Sequence, residues 1–130
     1  MYRIEKLVYG YRLIFADEIR KPEMSQWVAE SGKILETQTG AFGVFVDMRT
    51  LKPLSEFAKD EMTIGQKLYK AKGMERSVVI LSSTVITLQF RSIAQKSGIY
   101  QWERYIDASK CPDWEVKGLR WILKGIDPEK

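Results

Sequence analysis

Residues 43–48 read Gly43-Val44-Phe45-Val46-Asp47-Met48, and the fold follows from how this stretch is read. It is a compact apolar run, rich in branched and aromatic residues and too short for a helix. Continuous apolar character is expected of a parallel strand tucked among neighbours in a covered sheet. Moving towards higher numbers, a helix is predicted from about Pro53, with Leu54, Phe57, Ala58, Met62, Gly65, Leu68 and Tyr69 on one stripe and Gly73 as its stop. The pattern then repeats. Ser77-Val78-Val79-Ile80-Leu81 is a second buried strand, and Ile86, Phe90, Ile93, Ala94 and Ser97 line a helix ending at Gly98. Arg104-Tyr105-Ile106-Asp107 makes a short strand, and Pro112 opens a helix carrying Trp114, Gly118, Trp121 and Ile122.

On the other side of residues 43–48, Met24, Trp27, Val28, Ser31 and Leu35 fall at helical spacing from about Pro22, a residue suited to a first helical turn. Before them, Tyr2–Leu7 alternates, and Tyr11–Ala16 follows Tyr9-Gly10, which predicts a hairpin. The order is β-β-α-β-α-β-α-β-α. Strands alternating with helices imply right-handed crossovers, hence an α/β fold: a single, mostly parallel five-stranded sheet with an antiparallel opening hairpin. No linker, repeat or low-complexity tract divides the chain, so one domain over residues 1–130 is expected.

Composition bounds the chemistry. The 130 residues are 45% hydrophobic and 29% charged, the balance of an ordinary globular chain with a core of its own. With no histidine, every imidazole-dependent mechanism is excluded, from Ser-His nucleophiles to His-ligated zinc. One cysteine, Cys111, excludes an internal disulfide framework and a thiolate-cluster metal site, so neither metal nor cofactor is expected. The net charge of +4 is dispersed among acidic residues rather than gathered in a basic stripe, which argues against a nucleic-acid partner. No apolar run approaches the ~20 residues of a membrane span, and Met1-Tyr2-Arg3-Ile4-Glu5-Lys6 is not a signal peptide. A reduced cytoplasm is the expected compartment.

In open α/β sheets, ligands bind at the carboxyl ends of the strands. That rule nominates Asp47, Met48 and Arg49 after the first central strand, Ser82, Ser83 and Thr84 after the second, and Asp107 and Ser109 after the third. Asp47 is placed to bind a cation, to accept a proton or to pair with Arg49; hydrogen bonding to the amides of the next loop is its plainer role. The three hydroxyls at 82–84 suit a helix cap, with a surplus that points to an anion or to phosphorylation. Cys111 precedes a helix start, where the helix dipole would lower a thiol pKa; a packed thiol is the plainer reading. No glycine-rich phosphate loop is present, and a Ser-Lys pair such as Ser55 with Lys59 is a spacing that helices show by chance, so an enzyme is not expected.

Together with the element order, Val46-Asp47-Met48-Arg49, Lys72-Gly73-Met74-Glu75-Arg76-Ser77-Val78-Val79-Ile80, and Arg104-Tyr105-Ile106-Asp107 before Pro112-Asp113-Trp114 resemble the SpoIIAA-like branch of the STAS superfamily. The resemblance covers nearly the whole chain. It implies a non-catalytic, regulatory binding module that docks on a protein partner, with a homodimer as a further possibility. In that superfamily the switch serine lies in an Asp-Ser-Ser-Gly-like turn opening the helix after the central strand. The matching region here, Lys52-Pro53-Leu54-Ser55-Glu56-Phe57, carries one serine, Ser55, without the second hydroxyl or the glycine. The fold is also similar to lipid-binding domains that enclose an apolar ligand beneath a helical lid, which makes a small apolar or lipid ligand the alternative. The docking surface expected is Asp47, Arg49, Ser55, Ser82, Ser83 and Thr84; a ligand pocket would involve Met48, Leu51, Trp102 and Tyr105.

Overall fold

A computed structural model describes all residues, Met1–Lys130. Five strands and four α-helices follow in the predicted order: β1 (Tyr2–Leu7), β2 (Gly10–Phe15), α1 (Lys21–Leu35), β3 (Phe42–Asp47), α2 (Glu56–Ala71), β4 (Met74–Leu81), α3 (Thr84–Ser97), β5 (Glu103–Asp107) and α4 (Trp114–Lys124). A single 3-10 turn, Tyr100–Trp102, precedes β5. The strands form one mixed sheet in the order β1-β2-β3-β4-β5, with β1 antiparallel to β2 and every other pair parallel. All six residues of β3 are buried, which is why its sequence shows no alternation.

The strand order never reverses, and this decides the architecture. Right-handed crossovers that always step in one direction place their helices on the same face of the sheet. Accordingly α1, α2 and α3 cover one face, where Val44, Val46, Val79, Leu81 and Tyr105 join a 25-residue core with Trp27, Met62 and Phe90. The alternate residues Phe45, Val78, Ile80 and Ile106 point the other way, into a six-residue cluster completed by Trp121 and Ile122 of α4. Gly118 lets α4 approach closely: a Cβ there would lie 2.6 Å from Phe45 Cε2. Trp121 is anchored by its indole N–H, which donates to the Ser77 carbonyl at 2.9 Å.

Several boundaries differ from the sequence expectation. Helix α2 begins at Glu56, three residues past Pro53, because Ser55 rather than the proline forms its cap. Phe57, assigned to the core stripe, is 67% exposed, with the Lys21 ammonium over its ring. Strand β4 starts at Met74 and β5 at Glu103, earlier than read, since pairing with neighbours extends both. Pro112 lies in the turn before α4 rather than opening it.

Candidate functional site

The three segments nominated from sequence do leave the sheet at one rim, because β3, β4 and β5 run parallel. Asp47, the last residue of β3, is 8% exposed and shares the α4 side of the sheet with Phe45. Arg49 grips it with a fork: Nε donates to Asp47 Oδ1 and Nη2 to Oδ2, both at 3.0 Å, and the Arg49 backbone N–H adds a 3.1 Å bond to Oδ1. Burial pushes the Asp47 carboxyl up, but these bonds and the charges of Arg49 and Arg12 outweigh it and hold the group below the usual carboxylate range. Pairing with Arg49 and bonding to the following amide therefore occur together. The guanidinium lies 4.3 Å from the centroid of the Trp114 ring, so it is fixed from two sides, while the Arg49 side chain is still 43% exposed.

The serines are placed differently. Ser55 Oγ accepts from Ala58 N at 3.2 Å and Ser83 Oγ from Ile86 N at 3.4 Å, each capping its own helix. Both helices belong to the three-helix face, so these caps stand across the sheet from the Asp47 carboxylate. Ser82 and Thr84 are exposed beside Ser83. Ser55 and Lys59 form no nucleophile pair: the Ser55 hydroxyl faces the Ala58 amide, and Lys59 Nζ binds Glu56 at 2.7 Å. Asp107 accepts from Ser109 N at 2.9 Å, tying down its loop. Cys111 Sγ donates to Asp113 at 3.1 Å, and that bond together with burial raises the thiol pKa, opposite to the effect expected of a helix dipole.

The four pocket residues do not converge on the rim. Trp102 precedes β5 and therefore stands at the amino end of the parallel strands, where Lys70 Nζ lies 3.9 Å from its ring centroid. Met48, Leu51 and Tyr105 are buried in the large core. The interior holds a cavity of about 30 Å³ under the three helices, bordered by Met48, Trp27, Gln66, Ser77 and Glu103. That is room for one water. The expectation of a rim crevice came from doubly wound sheets, in which strand order reverses and helices diverge to opposite faces. A monotonic order opens no such crevice.

Sequence reading missed a buried polar cluster. Glu103, 3% exposed, accepts from Tyr105 Oη at 2.6 Å and from Ser77 Oγ at 3.0 Å. Burial pushes its carboxyl up to about 7, against the lowering effect of those two hydrogen bonds. Tyr105 is pushed well above the ordinary phenol range by burial and by the Glu103 charge. The available signal was the i, i+2 spacing of Glu103 and Tyr105 on one strand face, hidden by starting the strand at Arg104. No His, Cys, Asp or Glu group of three or more is arranged to hold a metal ion. No helix is long and apolar enough to cross a membrane. Compared with family models, curated proteins and solved structures, the chain matches none.

Proposed function

We propose that the chain is a non-catalytic module, of the SpoIIAA-like STAS type, that binds a protein partner through the rim around Arg49. The observation carrying this reading is Arg49 itself: a charged side chain, 43% exposed, whose guanidinium is forked onto Asp47 and stacked on Trp114. A cation held in one geometry loses little side-chain entropy on meeting an anionic group of a partner, and arginine beside an aromatic ring is a frequent energetic anchor of interfaces. The Ser55 and Ser83 hydroxyls at the same end of the sheet are engaged as helix caps. A small apolar ligand would call for a pocket of roughly 300 Å³ or more, far above the cavity of about 30 Å³ beneath the helices.

The test compares proteins retained from native cells by wild type and by Arg49→Gln, followed by binding measurements on each retained protein. The expected result is a partner whose affinity falls at least ~10-fold in R49Q, while the melting temperature stays within a few degrees. An unchanged affinity for every retained protein overturns the reading. Native mass spectrometry of the purified chain is expected to show the bare polypeptide mass, whereas a co-purified apolar adduct would favour the ligand reading.

A further inference from the structure

Strand β5 is an edge strand, and such edges expose unpaired N–H and C=O groups unless something covers them. Here the cover is the chain's own acidic turn. Past α4, Asp127-Pro128-Glu129 folds back so that Glu129 Oε2 accepts the Tyr105 backbone N–H at 3.1 Å. Two arginines hold the turn, one on each side of the strand: Arg104 Nε is 3.0 Å from Asp127 Oδ2, and Arg91 Nη2 is 3.6 Å from Glu129 Oε1. A cleft of about 480 Å³ opens among these side chains and Tyr100.

Both arginines are positioned by groups other than the carboxylates they bind. Arg104 stacks on Trp121 at 4.4 Å and donates to the Gln101 and Glu103 carbonyls at 2.9 and 3.0 Å. Arg91 stacks on Tyr105 at 4.5 Å and donates to Tyr100 Oη at 3.1 Å. Removing the turn therefore leaves two guanidinium groups and an edge N–H still facing the vacated space, a preorganised receptor for carboxylates. The turn itself is held by partly exposed ion pairs, which are individually weak and exchangeable.

We infer that this groove on the β5 edge is a binding site for an acidic segment of a partner protein, carrying two carboxylates two residues apart, and that Asp127-Pro128-Glu129 occupies it as an internal competitor. The site is separate from the Arg49 rim, and neither assignment depends on the other. Tethering gives the internal turn an effective concentration of roughly millimolar, so an external segment competes poorly until the turn is displaced.

The experiment uses the full chain carrying Asp127→Asn and Glu129→Gln, and a fluorescent peptide copying residues 124–130, Lys-Gly-Ile-Asp-Pro-Glu-Lys. Anisotropy is expected to show the peptide binding this variant at least ~10-fold more tightly than wild type. Binding should weaken sharply at about 0.5 M NaCl and vanish for a peptide with Asn and Gln in place of its acids. Adding Arg91→Gln and Arg104→Gln should abolish it; if those changes impair folding, the salt titration and the neutral peptide decide on the first variant alone. Equal binding to wild type and variant, equal binding of the neutral peptide, or no binding to the opened variant overturns the proposal.

Discussion

At the scale of single residues, the contrast between Asp47 and Glu103 is instructive. Asp47 was legible because its partner is two residues away: a carboxylate at a strand exit with an arginine at i+2 can close a fork whatever the rest of the fold does. Glu103 was harder to read, because Ser77 reaches it from another strand and only the packed sheet buries it, although Tyr105 lies two residues away. The consequence is a pH dependence of stability. Burial holds the Glu103 carboxyl up at about 7 in the folded state, against an ordinary value of 4.5. The native state thus binds the extra proton between those values, and stability falls as pH rises through that window. With Ser77, Tyr105 and the Phe90 carbonyl facing it, the protonated acid can donate to Tyr105 Oη, which lies 3.4 Å from that carbonyl. Urea unfolding at pH 5 and pH 8 is expected to show a loss of roughly 2–3 kcal/mol from this group. In Glu103→Gln the loss disappears; a wild-type profile rising over the same interval would contradict it.

At the scale of elements, local signals found the helices and strands but misplaced their ends. Ser55 caps α2 because its hydroxyl reaches Ala58 N, and a serine two residues after a proline outcompetes that proline as a start signal. Phe57 matched helical spacing, yet spacing alone does not say where the covered stripe stops. Helical spacing puts Gly118 on the α4 stripe, and contact with β3 is the reason: Phe45 occupies the space a Cβ would take. Gly118→Ala is therefore expected to cost about 1–3 kcal/mol through overpacking, despite alanine's better helix propensity. Thermal unfolding of G118A checks it, and an unchanged or raised melting temperature would show that α4 sits loosely.

For the whole molecule, the two faces of the sheet are unequally protected. Twenty-five buried residues join the sheet to α1, α2 and α3, whereas six join it to α4. Local opening free energies follow buried contact, so α4 should open before the sheet does. Hydrogen exchange is expected to show the amides of β3 and β4 protected to the global limit and those of α4 exchanging well below it. Trp121→Ala, which removes the bond to Ser77 and the ring beneath Arg104, should accelerate α4 exchange selectively. Uniform protection of α4 and β3 would contradict this picture. Both proposed surfaces rest on the less protected side, with Arg49 and Arg104 each stacked on a tryptophan of α4.

The amino-acid sequence by itself determined the α/β class, the element order, the antiparallel opening hairpin and the local Asp47–Arg49 neighbourhood. These rest on periodicity, glycine stops and contacts between residues close in the chain. Only the tertiary structure decided the strand order, and with it which face each helix covers, why no crevice opens at the carboxyl rim, and which edge the acidic turn protects. Those outcomes depend on pairings across 20 or more residues, as between Tyr105 and Glu129 or Ser77 and Glu103, and no local pattern encodes such partners.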